Sequence, residues 1–231
     1  MKRNDILKKQ ETLTEALISN GASIVGYGDI SVLNNELSRL FPTAVSFGVK
    51  YCKSIVDNLD SDEESFNRHL ASLNPIINNL IGIITGYFDE WGINYKVIPI
   101  AEYIKDNEQL SNLACFSHKF AATRAGLGWI GKSSLLVTPQ YGPRIKLCTV
   151  LSDAKFTVAE PINESRCGDC TLCVEACPYN AIKGCNWNCH TERDKLFDAY
   201  TCNAGRLDYI PLIGRKHSCG LCIKACKIGR E

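Results

Sequence analysis

The chain has 231 residues, 45% of them hydrophobic and 22% charged, with a formal net charge of +1. That length allows one large domain, or one domain plus a small module, of ordinary globular composition. The near-neutral balance excludes any global electrostatic case for nucleic acid or an anionic membrane as partner.

Residues 4–20 are expected to form an amphipathic helix, with Ile6, Leu13 and Leu17 near one face and Gly21 as its stop. Two short strands follow, Ser23 to Tyr27 and Thr43 to Val49, with a short helix or structured loop over Ser31 to Leu40 between them. Asp57 to Glu64 is polar and acidic, a solvated loop or a helix start. From Asn74-Pro75 the apolar positions Ile76, Leu80, Ile83, Tyr87 and Trp91 recur every three or four residues. This predicts a long core helix entered through Pro75 and closed by Gly92. Tyr95 to Ile100 reads as a strand, and Cys115 to Ala125 as a helix ended by Gly126. Ser134 to Thr138 and Arg144 to Leu151 read as strands joined by a hairpin turn at Tyr141-Gly142-Pro143. The order of elements suggests an α/β or α+β core.

After Asp153 the composition changes, and ten of the thirteen cysteines lie in 167–226. The domain boundary is therefore set near residue 158, giving parts 1–158 and 159–231. The N-terminus lacks the apolar segment of a signal peptide, and no run reaches the ~20 apolar residues of a membrane span. A cytoplasmic protein with no membrane partner is the expectation. In a reducing compartment so many thiols point to metal rather than disulfides, and their odd number disfavours a disulfide framework.

The run Cys167-x2-Cys170-x2-Cys173-x3-Cys177-Pro178 has the spacing by which bacterial ferredoxins hold [4Fe–4S] clusters. In that arrangement three thiolates wrap one cubane and the fourth serves a second. Crossed ligation then assigns Cys167, Cys170, Cys173 and Cys226 to one cluster, and Cys177, Cys202, Cys219 and Cys222 to the other. Soft thiolates at this density select iron–sulfur over hard cations. Structural zinc is the alternative, but the third closely spaced cysteine is one that a zinc ribbon does not need. Cys185 and Cys189 form an extra C-x3-C pair, either a further metal site or non-ligating thiols. Cys52, Cys115 and Cys148 lie in apolar segments, where a free cysteine packs as a small hydrophobe.

Gly126-Leu-Gly-Trp-Ile-Gly131-Lys132-Ser133 satisfies the phosphate-loop pattern letter for letter. That mechanism needs a strand before the loop and a helix after it. Here a helix-like segment precedes and a β-like run follows, so nucleotide hydrolysis is not expected. The glycines imply special backbone geometry, or close approach to something flat or large.

Ala125-Gly-Leu-Gly-Trp-Ile-Gly-Lys132, then Ser134-Leu-Leu, Tyr141-Gly-Pro-Arg144, Val150-Leu and the cysteine run, resembles the epoxyqueuosine reductases, in a short form. These are relatives of reductive dehalogenases. The resemblance covers roughly residues 20–231 and is strongest over 118–226. It implies an α+β chain: an α/β cobalamin-type domain followed by a bacterial dicluster ferredoxin-like module. It further implies two [4Fe–4S] clusters fed by an external low-potential electron donor, a cobalamin that reduces the substrate, and a modified tRNA base as that substrate. Carried over by residue, Gly131, Lys132, Ser133 and Ser134 line the corrin pocket. The family's proton-donating aspartate has no counterpart in Leu113 to Lys119, which leaves His118 as the candidate catalytic acid. A small-molecule or modified-base substrate is expected, with tRNA weakly supported by the charge. Two other readings remain open: a dicluster electron-transfer protein serving a partner enzyme, and a corrinoid-reducing protein.

Overall fold

The structure, a computed structural model, describes residues 3–59, 61–99, 116–205, 209–210, 215–216 and 219–230. Helix α1 (Arg3–Ser19) leads into β1 (Ile24–Asp29), a short α2 (Glu36–Leu40) and β2 (Thr43–Lys50). After α3 (Lys53–Asp57) come the 29-residue α4 (Glu63–Trp91) and β3 (Tyr95–Val97). Helix α5 (His118–Arg124) precedes β4 (Trp129–Ile130), β5 (Leu136–Val137) and β6 (Ile145–Ser152). The cysteine-rich part contains α6 (Leu172–Glu175), α7 (Arg193–Leu196), α8 (Ala199–Gly205), β7 (Tyr209–Ile210), β8 (Arg215–Lys216) and α9 (Leu221–Ala225).

The main sheet has the order β1-β2-β6-β3, and every pair in it is antiparallel. Its centre is the long-range pairing of β2 with β6, in register from Thr43 opposite Ser152 to Lys50 opposite Ile145. The N-terminal part is therefore α+β, and the α/β layout expected for it is corrected. The chain between β1 and β2 forms a 3-10 turn (Ser31–Leu33) and α2. An Ile30 N–H to Pro42 carbonyl bond of 2.9 Å closes the connection, so the two strands run as antiparallel neighbours.

Side-chain alternation along the strands separates two faces. Val45, Phe47 and Val49 of β2, with Cys148 and Val150 of β6, pack against Leu13 and Leu17 of α1 and Ile77, Leu80, Ile84 and Phe88 of α4. Each such fully buried side chain contributes about 2 kcal/mol. On the other face Ala44 and Leu151 meet Ile98, Phe116 and Ala121, so α5 lies across the back of the sheet.

Helix α4 begins twelve residues before the expected Pro75 entry, at Glu63, making the acidic segment its first turn. The Asp62 carboxylate accepts the Ser65 N–H at 3.0 Å, and Glu63 and Glu64 sit where the helix dipole favours negative charge. Pro75 lies inside the helix. Beside that interruption the Lys146 ammonium donates to the Leu70 carbonyl at 2.7 Å and to the Asn74 side chain. Gly92 closes the helix at φ +66°, as expected. The expected strand to Ile100 is described as far as its β3 portion, Tyr95–Val97. The expected helix from Cys115 is α5, and Cys115 lies outside the described residues.

The hairpin expected between 134–138 and 144–151 is also corrected. Strand β5 pairs back with β4, Trp129 opposite Val137 and Ile130 opposite Leu136. The Tyr141–Pro143 turn carries a single Thr138–Gly142 bridge before β6 joins the main sheet.

Strand β1 has glycine where α5 ends. A Cβ built at Gly28 would lie 2.6 Å from the Ala125 nitrogen and 2.7 Å from the Arg124 carbonyl carbon, both backbone atoms that cannot give way. Arg124 secures the same approach by donating from Nε to the Asp29 carbonyl at 2.7 Å. Gly28→Ala is expected to destabilise the chain by about 1–3 kcal/mol through overpacking. Urea unfolding checks this, and an unchanged midpoint would contradict the tight helix–sheet contact.

Candidate functional site

The β4–β5 hairpin is one of the parts of the N-terminal region that reach the cysteines. Its loop is closed by Gly131 N–H to Leu135 carbonyl and Ser134 N–H to Gly131 carbonyl bonds, each 2.8 Å. Ser134 stands at φ +58°, a left-handed conformation costly for a residue with a side chain. The Lys119 ammonium holds it there, donating from α5 to the Ser134 carbonyl at 2.6 Å. The phosphate-loop letters thus fold as helix, turn, strand and hairpin loop, with no helix after the lysine, in keeping with the reading that this is no nucleotide site.

The eight cysteines of the two expected quartets are half-buried and fall into two electrostatic groups. Burial, and then Cys167, Cys226 and Cys170, push the Cys173 thiol up to about 11. Burial, and then Cys219, Cys173, Cys202 and Cys177, push the Cys222 thiol up to about 12. Apart from Cys173, which stands between the groups, the partners of Cys222 are the second expected set. Short helices place them: Cys173 on α6, Cys202 on α8 and Cys222 on α9, with α6 and α9 in contact. Asp198 caps the chain into α8, accepting the Thr201 N–H at 2.9 Å.

Among the described residues no three Cys, His, Asp or Glu side chains converge as the shell of one metal ion. A structural zinc needs such a shell. In a cubane each thiolate binds a different iron, so the sulfurs stand farther apart. Groups of thiols that raise one another's pKa suit a polynuclear positive core, which deprotonates its ligands outright. Cys185 and Cys189 are exposed and belong to neither group. Their loop touches the segment that carries Cys167, with Asn186 donating to the Gly168 carbonyl at 3.1 Å. Cys148 is buried as expected, whereas Cys52 is exposed just before α3, its sulfur 3.3 Å from the Ser54 hydroxyl. The expectation that Cys52 packs as a hydrophobe is corrected; it sits where the chain leaves the sheet.

A cavity of about 410 Å³ opens beside the second group, lined by Cys177, Cys202, Cys219 and Cys222 and, across from them, Ser133, Ser134 and Leu135. Phe66, Tyr179 and Phe197 supply aromatic wall, and Lys119, Lys146 and Arg193 supply positive charge. No carboxylate lines it among the described residues. Burial and the Arg193 guanidinium push the Lys119 ammonium down to about 8.

Of the four expected corrin-pocket residues, Ser133 and Ser134 line this cavity. Gly131 faces the other way: a Cβ there would lie 3.6 Å from the Cys167 sulfur. Lys132 is buried away from the lining. His118 does not line the cavity, and both its ring nitrogens are engaged. Nε2 is 3.2 Å from the Pro99 carbonyl, to which it donates, and Nδ1 is 3.0 Å from the Thr149 hydroxyl, from which it then accepts. Burial pushes its pKa down, favouring this neutral, bracketing form. Lys119, Lys146 and Arg193 were not singled out from sequence. A cation in a largely apolar strand is the signal that marks Lys146; Lys119, in a helix that also carries His118 and Arg124, has no such signal.

The first group is held by Arg144, buried at the head of β6. Its guanidinium donates to the carbonyls of Ile228 at 2.8 Å, Cys226 at 2.9 Å and Lys224 at 3.3 Å. Gly142, at φ +55°, lets the turn touch this tail, since a Cβ there would sit 2.0 Å from the Ile228 carbonyl oxygen. Two buried donors in this region, Trp129 Nε1 and Arg144 Nε, have no partner among the described residues. Trp129 also carries the Arg166 guanidinium 5.6 Å above its ring, next to Cys167 in the chain.

A 4Fe-4S binding domain model matches residues 160–183, the segment that contains Cys167 to Cys177. The epoxyqueuosine reductase of Staphylococcus aureus (strain NCTC 8325 / PS 47) is 28% identical over 155 residues, covering 61% of this chain and 40% of that protein. The chain is similar to epoxyqueuosine reductases. It also shares their fold: a crystal structure of epoxyqueuosine reductase with a tRNA-TYR epoxyqueuosine-modified tRNA stem loop superposes with a TM-score of 0.57 at 17% identity, over 97% of this chain and 66% of that one. The catabolic reductive dehalogenase NpRdhA, in complex with 3-bromo-4-hydroxybenzoic acid, superposes with a TM-score of 0.68 at 18% identity, over all of this chain and 33% of that one. The chain therefore spans less than two thirds of these relatives. Among the described residues no helix is long and apolar enough to cross a membrane.

Gly142→Ala is expected to expel the C-terminal turn, because the clash is with backbone. Limited trypsin digestion should then cut at Lys224 or Lys227 much faster than in the parent chain. Equal protection in both proteins would contradict the contact.

Proposed function

We propose that the chain is an iron–sulfur oxidoreductase of the epoxyqueuosine reductase type. Residues 159–231 would hold two [4Fe–4S] clusters, and residues 1–158 would provide the cofactor and substrate side. The observation that supports this most strongly is the cavity shared by Cys177, Cys202, Cys219 and Cys222 with the Ser133–Ser134 loop. A cluster on those cysteines would fill the cysteine end of this cavity and face the Ser133–Ser134 loop across the remainder, so an electron leaving it would have a destination. Cys167, Cys170, Cys173 and Cys226 do not line that cavity, so their cluster would be the entry point for an external low-potential donor.

The cavity residues fit the cluster-side wall of a cobalamin site. Ser133, Ser134 and the backbone of the hairpin loop would meet the edge of the corrin, with aromatic and aliphatic wall for its flat faces. The described walls enclose about 410 Å³. A whole cobalamin occupies on the order of 1,000 Å³ at interior packing density, so they make one side of its site. When bound, such a cofactor supplies a low-valent metal able to reduce the substrate, and the clusters supply single electrons; the protein contributes orientation and electrostatics.

Lys119, Lys146 and Arg193 would stabilise negative charge that develops on reduction, in a cavity with no described carboxylate to oppose them. Lys119 holds a proton at Nζ close to the working pH and is the better-placed proton donor, so the role expected for His118 passes to it. The substrate is proposed as a small molecule or a modified base with a reducible carbon–oxygen or carbon–halogen bond. A tRNA stem loop accompanies one relative's structure. The net charge of +1 gives this chain little electrostatic reason to bind one.

Titration of the anaerobically prepared, cluster-loaded protein with cobalamin tests the reading: a saturable change in the corrin absorption is expected. No change would sink the cofactor assignment. Since Lys119 is protonated below about 8, turnover of epoxide or organohalide substrates should be full at lower pH and fall as pH rises through about 8. Lys119→Met is expected to lower the rate by 10²-fold or more and to erase that limb. A profile unaltered by the substitution would assign the proton elsewhere.

A further inference from the structure

We infer that Arg144 tunes the entry cluster, raising the reduction potential of the centre held by Cys167, Cys170, Cys173 and Cys226 relative to that of its neighbour. This rests on the two-cluster reading and adds to it a residue outside the cysteine module. Arg144 is 3% exposed, so its charge is little screened by water. Nη1 and Nη2 are locked by the Ile228, Cys226 and Lys224 carbonyls at 2.8, 2.9 and 3.3 Å. Nε is buried and has no hydrogen-bond partner among the described residues. A buried donor left unmatched is costly. Its proximity to the first group is evident in Cys226, whose carbonyl it binds.

The physical consequence is directional. One-electron reduction makes a thiolate-ligated cubane more negative, so a fixed, buried positive charge on the chain that carries Cys226 favours the reduced state. The electron comes from the external donor, or from dithionite in a titration, and no bond to Arg144 forms or breaks. The second group has different neighbours: Lys119, Lys146 and Arg193 share its cavity, and none of them is Arg144. A second guanidinium provides an internal control. Arg230 is exposed and grips overlapping carbonyls, Cys226 from Nε at 3.1 Å and Lys224 and Ala225 from Nη2 at 2.8 and 3.0 Å. It shares the anchoring role of Arg144 but not its burial.

The test is an EPR-monitored potentiometric titration of the full chain, anaerobically reconstituted with iron and sulfide. Arg144→Gln, which keeps an amide donor for a carbonyl, is expected to lower one midpoint. The expected drop is about tenfold in the one-electron equilibrium, or about 59 mV, with the other midpoint unmoved. Arg230→Gln should leave both midpoints in place. Should Arg144→Gln fail to load its cluster, Arg144→Lys decides: it keeps the charge but not the planar guanidinium that holds it beside Cys226, and a smaller downward shift is expected. Unmoved midpoints in the loaded Arg144 variants, or an equal shift in Arg230→Gln, overturn the inference. Iron and sulfide for only one cluster in the parent protein would overturn the two-cluster reading itself.

Discussion

The structure depends on thiols brought so close that they cannot carry charge alone. Cys222 and Cys173 sit among other cysteines in burial that pushes their pKa values up to about 12 and about 11. Without a positive core these positions hold neutral thiols with little reason to converge. With one, the same crowding becomes binding energy, because each thiolate is needed and each proton is released. The helices that present these cysteines are short, four or five residues for α6 and α9, too short to be stable by themselves. Their stability must come from the metal and from the domain they lean on.

That domain is built to receive them. The α5 helix lies flat on the sheet because β1 has glycine beneath it, and from there Lys119 fixes the hairpin loop at Ser134. The loop then touches both groups: Gly131 lies against Cys167, while Ser133 and Ser134 look into the cavity of the second quartet. On the other side, Arg144 leaves the end of β6 to bind the tail that follows α9. The sheet, through α5 and β6, thereby sets where the cysteines stand relative to the cavity. On the proposed function, the fold would carry electrons from the first quartet to the one on the cavity, with Arg144 beside the first and Lys119, Lys146 and Arg193 beside the second.

Much of this is legible from residue order. The cysteine spacing suggests both quartets through the rule of crossed ligation, and the folded chain brings Cys173 and Cys222 each among cysteines of such a set. Helix α1 and the Gly92 end of α4 follow from periodicity and a left-handed glycine. The start of α4 was hidden, since Pro75 mimics a helix entry and only the Asp62 cap shows that the helix began earlier. The sheet topology was hidden for a different reason. Residues 43–50 and 145–152 pair across a hundred residues, and alternation along a strand does not reveal which strand it meets or in which direction. Lys119, Arg193 and Arg144 matter through what they face, so they emerge only once the chain is folded. His118 attracted attention by its usual pKa, and its two hydrogen bonds explain why an isolated histidine is a weak guide.

The central claim is that two adjacent cysteine quartets each hold a cubane, with one of them on the cavity. The EPR spectrum of the fully reduced, anaerobically reconstituted chain addresses it most directly. Two neighbouring reduced clusters should give a broadened, spin-coupled signal, and Cys219→Ser should convert it to the simple spectrum of one isolated cluster. An uncoupled signal in the parent chain that Cys219→Ser leaves unaltered would contradict the account.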